Sequence, residues 1–215
     1  MIECIVFDFD GTLRQSLGIK HQAYYSAVYD VLGGEALFRD IIREFPGITR
    51  YSGCAIFAER ARALGIDCPD GEELAARYTR VCEDAIAACS EVPGATRFLD
   101  WLRGRAVDCF VVSGTPQLPL RDTIRRIGLV DSFVDILGYP VTKPQHYADV
   151  LERVGCPPGS LLAIGDGDDD KAAAESVGGL FVRVSGGAGS PQPDEWVVES
   201  LEQIREIAEL KFPTY

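Results

Sequence analysis

The chain has 215 residues, of which 47% are hydrophobic and 25% charged, a balance typical of a globular protein. It carries 33 acidic against 21 basic side chains, so its formal charge is -12. Because nucleic-acid binding depends on basic surface, this charge argues against a nucleic-acid partner, and no apolar run approaches the roughly 18 residues of a membrane span.

The first predicted element is a strand over residues 2–7, a short apolar run of the kind that forms buried parallel strands. It ends at the motif Asp8-Phe9-Asp10-Gly11-Thr12. Ligands of open parallel sheets bind outside the carboxyl ends of the strands, and alternate residues of an extended segment point the same way. We therefore expect Asp8 and Asp10 to face one crevice, although such a motif is also typical of an Asp-rich turn that caps a helix.

The segment from about residue 16 to 89 contains no convincing strand and is predicted to be a helical insert. Its helices are predicted over residues 20–32, 37–45, 54–64 and 71–88. The last of them begins with a capping box made by Asp70 and Glu73, and Leu74 and Tyr78 lie on its apolar face.

Residues 45–53, between two of these predicted helices, form the candidate substrate-specificity loop. Arg50 is its most informative residue, since a guanidinium can pair with a carboxylate or a second phosphate of a substrate. The alternative is a plain connection between helices with one exposed arginine.

Four further strands are predicted after the insert, where short apolar runs alternate with helical patterns. They cover residues 107–112, 133–137, 161–164 and 180–184. A helix with Tyr147 and Val150 on its apolar face is predicted behind Pro144, and Ser200 opens a last predicted helix that reaches Ala208. This alternation predicts a three-layer α/β domain with a mostly parallel sheet.

Two short motifs also follow predicted strands. Ser113-Gly114-Thr115 closes the strand over residues 107–112, where a hydroxyl and backbone N–H groups can bind phosphate oxygens. Lys143 precedes Pro144 at a helix start, from which its ammonium can neutralise a phosphate. Taken alone, the first motif is also typical of a helix N-cap, and a lone lysine is usually a solvated surface residue.

The motif Gly165-Asp166-Gly167-Asp168-Asp169-Asp170 follows the very apolar strand over residues 161–164. Its four carboxylates lie within five residues and repel one another at neutral pH, so the cluster favours a cation that prefers oxygen ligands. The competing explanation is an acidic helix N-terminus, which the helix dipole stabilises.

In their order along the chain, these motifs resemble the four motifs of the haloacid dehalogenase superfamily: Asp8-x-Asp10-Gly11-Thr12, Ser113-Gly114-Thr115, Lys143-Pro144 and Gly165-Asp166-x-x-x-Asp170. The helical insert resembles the cap domain of phosphoglycolate phosphatase and β-phosphoglucomutase relatives. The resemblance covers essentially the whole chain. It implies a Rossmann-like α/β core of residues 1–15 and 90–215 and a smaller all-helical cap of residues 16–89.

The resemblance also implies a magnesium-dependent phosphatase that acts on a small phosphorylated metabolite. Asp8 would attack phosphorus to give an aspartyl-phosphate, while Asp10 would protonate the leaving oxygen and then deprotonate the attacking water. The Mg²⁺ ligands would be the Asp8 carboxylate, the Asp10 carbonyl and the Asp166 carboxylate. Asp170 would orient a metal-bound water or Lys143. The groups that bind phosphate or substrate would come from Thr12, Ser113, Gly114, Lys143 and Arg50.

Alternatives within and outside this family stay open. Asp10 favours phosphoryl transfer over carbon–halogen cleavage, because dehalogenating members need no acid at that position. Residues 13–16 depart from the pattern of many phosphoglycolate phosphatases, and Lys20 and His21 lie where mutase-like relatives carry a hinge histidine. The alternatives are a phosphosugar mutase of the β-phosphoglucomutase type and a non-catalytic binding protein of this fold.

The 7 cysteines are scattered without the spacing of a metal site or a disulfide framework. The chain opens on an apolar strand without the basic region of a signal peptide. We therefore expect a cytoplasmic protein with reduced thiols and no membrane partner, present as a monomer or homodimer.

Overall fold

The computed structural model describes residues 1–45, 48–186, 191–207 and 210–213. The chain divides into two units, of which one comprises Met1–Gln15 with Cys89–Tyr215 and the other Ser16–Ala88. We call the first unit the core and the second the cap. The division expected from the sequence returns to the core after residue 89.

The centre of the core is a parallel sheet. Its strands are β1 Cys4–Phe7, β2 Asp108–Pro116, β3 Asp135–Tyr139, β4 Leu161–Gly165, β5 Leu180–Val184 and β6 Trp196–Val198. They lie side by side in the order β3-β2-β1-β4-β5-β6, and every neighbouring pair is parallel. The predicted α/β fold with a parallel sheet is thus confirmed. The sequence does not predict β6, because three residues are too few to show a periodic pattern.

The cap consists of helices. They are α1 Leu17–Ala27, α2 Gly34–Glu44, α3 Arg50–Ala63 and α4 Gly71–Ala88. Its interior is aromatic, since Phe38 stacks on Phe57 with ring centroids 5.0 Å apart. Tyr24 contacts both Phe38 and Tyr78, at 4.6 and 4.5 Å between centroids. The predicted all-helical cap is confirmed for the part of this unit that the structure describes.

Two cap helices differ from the predicted ranges. Helix α1 ends at Ala27 and not at residue 32, because the chain turns before Gly33, which has a positive φ of 69°. The predicted loop over residues 45–53 is wrong in its second half, since α3 begins at Arg50. Thr49 caps this helix by accepting a hydrogen bond from the Ser52 N–H at 3.2 Å. Residues 46–47 of the predicted loop lie outside the described residues.

Helices and short 3₁₀ turns connect the strands of the core. The helices are α5 Ala95–Leu102, α6 Gln117–Arg126, α7 Lys143–Val154 and α8 Asp168–Ser176. The helix predicted from Ser200 is a 3₁₀ helix over Leu201–Glu206, capped by Ser200 as predicted, and Ala208 lies outside the described residues. No helix within the described ranges has the length and apolar character needed to cross a lipid bilayer.

Helices cover both faces of the sheet, which explains why β1 is apolar at every position. Cys4 and Val6 belong to a buried cluster that contains Tyr147 of α7 and residues of α8. Phe7 points to the opposite face, where its ring centroid lies 6.2 Å from that of Phe98 in α5. Neighbouring residues of a strand face opposite sides of a sheet, so a strand between two helical layers has no polar side.

The register of the three central strands aligns their carboxyl ends. Phe7, the last residue of β1, pairs with Val111 of β2 and with Ile164 of β4. Asp8 follows Phe7 directly, and its N–H donates to the Ile164 carbonyl at 2.9 Å. The motifs that begin at Asp8 and Asp166 follow β1 and β4 and so emerge at the same edge of the sheet. The strand predicted over residues 107–112 ends later than expected, because β2 runs to Pro116 and includes Ser113-Gly114-Thr115.

Candidate active site

Three aspartates from two strand ends form one buried cluster. Asp8 follows β1, whereas Asp166 and Asp170 belong to the loop and first helical turn after β4. One carboxylate oxygen of each lies within 4.8 Å of the others, and all three residues are buried. Buried like charges are unfavourable without a cation, and carboxylate oxygens are the ligands that Mg²⁺ prefers. The donor set therefore fits a magnesium ion.

Lys143 is the cation that the structure brings to this cluster. Its Nζ lies 3.3 Å from Asp8 Oδ1 and 2.6 Å from Asp170 Oδ1. It also lies 2.9 Å from Oδ2 of Asp169, whose side chain is mostly exposed. Burial alone would lower the pKa of Lys143, but the surrounding carboxylates raise that pKa well above its ordinary value. The surrounding carboxylates therefore favour the charged form of this ammonium.

Burial is the largest influence on the pKa values of Asp8 and Asp170. It raises the pKa of Asp8 well above its ordinary value, and the Lys143 charge opposes this without cancelling it. Burial likewise raises the pKa of Asp170 to about 6, again against the effect of Lys143. The oxygens of Asp170 are both engaged, because Oδ1 accepts from Lys143 and Oδ2 accepts from the Gly167 N–H at 3.2 Å. This carboxylate is thus fixed in orientation.

Asp10 is held by a residue of the second motif. Thr115 Oγ1 donates to Asp10 Oδ2 at 2.9 Å, and both side chains are buried. The Thr115 N–H donates in turn to Ser113 Oγ at 3.1 Å, whereas Gly114 is exposed. Sequence reasoning did not assign a role to Thr115. The signal was available, because Thr115 follows Ser113 by two residues and so lies on the same side of an extended segment.

Gly11 and Thr12 pack against the aspartate cluster from the first motif. Thr12 is fully buried, and its Oγ1 lies 3.5 Å from Asp166 Oδ1, the long limit of a hydrogen bond. Gly11 has a φ of 84°, and a Cβ built on it would lie 2.7 Å from the Asp166 carboxylate. No side chain fits there unless Asp166 moves, which explains why glycine follows the second aspartate.

Gly11→Ala is expected to lower the phosphatase activity that the resemblance implies by about 10²-fold, because its Cβ displaces the Asp166 carboxylate and a shift of about 1 Å in a catalytic group can cost that much. Gly155→Ala is the matched control. Gly155 has a similar φ of 72° but open space at its Cβ position, so this variant carries the backbone strain without the clash. Turnover rates and melting temperatures of both variants separate the two effects. Equal activity in the two variants would contradict the expected displacement of Asp166.

Thr115→Val is expected to reduce turnover by about 10- to 100-fold, because it removes a buried hydrogen bond that orients Asp10 while keeping the side-chain shape. Thr115→Ser keeps the hydroxyl and is expected to retain most of the activity. The comparison needs steady-state kinetics of the two variants on one substrate. If the valine variant were as active as the serine variant, the hydroxyl would have no part in orienting Asp10.

Arg50, the candidate substrate contact, lies in the cap. It is the first residue of α3 and is almost fully buried. Its Nη1 donates to Thr79 Oγ1 at 2.7 Å, and its guanidinium lies 4.8 Å from the centroid of the Tyr78 ring. These contacts tie Arg50 to α4. Its role in binding substrate stays a prediction.

Comparisons with known proteins agree with the motifs. A family model described as haloacid dehalogenase-like hydrolase matches residues 2–178. The phosphoglycolate phosphatase of Rhodospirillum rubrum is 26% identical over 195 residues, which cover 87% of this chain and 81% of that protein. The phosphorylated carbohydrates phosphatase of Thermotoga maritima is 26% identical over 186 residues, 82% of each chain. A crystal structure of a "predicted phosphoglycolate phosphatase" from Haemophilus somnus shares the fold, with a TM-score of 0.77 at 19% identity over 96% of this chain and 97% of that one.

Proposed function

Because the chain belongs to the haloacid dehalogenase-like hydrolase family, we propose that it is a Mg²⁺-dependent phosphatase that releases phosphate from a small phosphorylated metabolite. One observation carries this proposal. The carboxylates of Asp8, Asp166 and Asp170 meet in a single buried cluster, with the Lys143 ammonium touching two of them. Phosphoryl transfer depends mainly on positioning and on neutralising charge, and this cluster offers an attacking oxygen beside the Lys143 ammonium.

Asp8 is the proposed nucleophile. A bond forms between one of its carboxylate oxygens and phosphorus, and the bond from phosphorus to the leaving oxygen breaks, giving an aspartyl-phosphate. Asp10 donates a proton to that leaving oxygen and later accepts one from the water that attacks phosphorus. The Thr115 hydroxyl donates to one Asp10 oxygen and so helps to hold this carboxyl group in one orientation.

Asp8 and Asp166 are the proposed carboxylate ligands of Mg²⁺, together with the main-chain carbonyl of Asp10. A bound Mg²⁺ would neutralise charge on the transferring phosphoryl group and favour the ionised form of the nucleophile. Asp170 is proposed to orient Lys143 or a metal-bound water without binding the ion itself, because its oxygens already accept hydrogen bonds from Lys143 and Gly167. Lys143, Ser113, Gly114 and Thr12 remain the proposed phosphate-binding groups.

The substrate class rests on the relatives and is proposed at that level. The two curated relatives above are named for phosphoglycolate and for phosphorylated carbohydrates, so both compound classes belong in a first test. Arg50 is proposed to influence this choice from the cap. The 7 cysteines are free thiols, which suits the reducing cytoplasm proposed as the place of reaction. We expect a monomer or homodimer.

The proposed function is tested by incubating the purified protein and Mg²⁺ with a panel of phosphorylated acids and sugars and measuring phosphate release. Release on at least one compound, lost with EDTA and restored by Mg²⁺, is the expected result. A phosphosugar mutase would instead release little phosphate and would need a bisphosphate primer to interconvert sugar phosphates. Absence of both activities across the panel would favour the non-catalytic alternative.

A further inference from the structure

Arg183 is a buried arginine of β5 that contacts the loop of the aspartate cluster. Only 1% of it is exposed, and it pairs in register with Gly165 at the end of β4. Its Nη1 donates to the main-chain carbonyl of Asp166 at 3.1 Å, and its Nη2 donates to Asp168 Oδ1 at 2.9 Å. Because the Asp168 side chain is 69% exposed, the bond to the buried carbonyl of Asp166 is the stronger constraint.

Glu195 holds Arg183 from the other side. Its carboxylate accepts from Arg183 Nε at 2.7 Å and from Arg183 Nη2 at 3.3 Å, which is a two-point contact with fixed geometry. Lys171 of α8 adds a third bond to Glu195, at 2.6 Å. These bonds lower the pKa of Glu195 to about 2, with that from Arg183 contributing most. Glu195, which directly precedes the edge strand β6, therefore holds the Arg183 guanidinium in one orientation.

We infer that Arg183 is a positioning residue for the metal ligand Asp166, and that Glu195 keeps it in place. The loop after β4 carries four aspartates that repel one another and would spread apart without internal support. Arg183 binds the Asp166 peptide carbonyl and not its carboxylate, so it fixes the main chain without competing for the metal-binding oxygens. This inference rests on the proposed metal site.

The alternative is that the Arg183–Glu195 pair only stabilises the sheet edge. The two explanations differ in what they predict for metal affinity. A positioning residue pre-orders the ligand, so its loss weakens Mg²⁺ binding by about 10- to 100-fold, the usual effect of removing a group that supports a metal ligand. If the pair were purely structural, its loss would lower the melting temperature and leave the Mg²⁺ dissociation constant of the folded protein unchanged.

The test measures Mg²⁺ binding by titration calorimetry on the intact wild-type protein and on Arg183→Gln, Arg183→Lys and Glu195→Gln. We expect the glutamine variant of Arg183 to lose about 10- to 100-fold in affinity, and Glu195→Gln to lose less. Arg183→Lys keeps the charge but not the forked geometry, so it is expected to recover only part of the affinity. Arg153→Gln is the matched control, since this exposed arginine of α7 pairs with Asp135 and touches no residue of the site.

Wild-type affinity in folded Arg183→Gln, or full recovery with lysine, would overturn the inference. If Arg183→Gln fails to fold, the Mg²⁺ affinity of Glu195→Gln tests the inference instead. This variant keeps the shape of the Arg183–Glu195 contact and only weakens it, so wild-type affinity in it would also overturn the inference. A wild-type protein that binds no Mg²⁺ would refute the proposed metal site itself, and that outcome is distinct from unchanged affinity among the variants.

Discussion

Asp8→Asn is expected to abolish phosphate release, by roughly 10⁴-fold or more, because it removes the attacking oxygen and no other group can replace it. The variant should stay folded. Burial makes the charged form of Asp8 unfavourable, which is why its pKa is raised, and an amide removes one of the charges that repel Asp166 and Asp170. The melting temperature of the metal-free variant is therefore expected to equal or exceed that of the wild type.

Asp108→Asn is the matched control for this variant. Asp108 begins β2 at the opposite end of the same sheet, where its side chain is exposed. Phosphate release is measured for both variants on the best substrate of the panel, with circular dichroism to verify the fold. Appreciable release by folded Asp8→Asn would mean that another residue is the nucleophile.

Lys143→Met is expected to lower both activity and stability. The ammonium lies 3.3 Å from Asp8 and 2.6 Å from Asp170, and removing one partner of a buried ion pair costs about 3–5 kcal/mol. The contact with the exposed Asp169 adds little to this loss. Turnover should fall by about 10³-fold, because a cation that faces the transferring phosphoryl group is also lost.

The stability effect of Lys143→Met is measured by urea unfolding with and without Mg²⁺. Added Mg²⁺ is expected to restore part of the lost free energy of unfolding, because a second cation then faces the same carboxylates. Lys211→Met, which removes an exposed lysine of the core, should leave both quantities unchanged. A Lys143→Met protein as stable and as active as wild type would show that the contacts of Lys143 with Asp8 and Asp170 contribute neither to folding nor to catalysis.

Strand positions could be predicted because the core strands are short apolar runs with polar motifs at their carboxyl ends. Leu161–Gly165, for example, is buried throughout and leads directly to the aspartate motif. Once the strands are parallel and adjacent, the convergence of Asp8 and Asp166 follows from the topology. Lys143 could be expected nearby because Thr142 and Pro144 fix the start of its helix.

Contacts between distant residues could not be predicted in this way. The pairing of Thr115 with Asp10 requires the side-by-side position of β1 and β2, which local patterns do not contain. In the sequence, Arg183 is a charged residue within an apolar strand, and no local pattern indicates that its partner is Glu195, twelve residues later. The start of α3 at Arg50 depends on Thr49, a capping signal that the neighbouring glycines obscured.

The phosphorylated state of Asp8 is the central claim, and it can be measured directly. The protein is mixed with substrate and Mg²⁺, quenched during turnover and treated with borohydride, which reduces an acyl phosphate at an aspartate to the homoserine alcohol. Mass spectrometry of the peptide that contains Asp8 should detect this product only when substrate and Mg²⁺ were both present. An unmodified Asp8, with the reduced product at another aspartate or at none, would contradict the proposed mechanism.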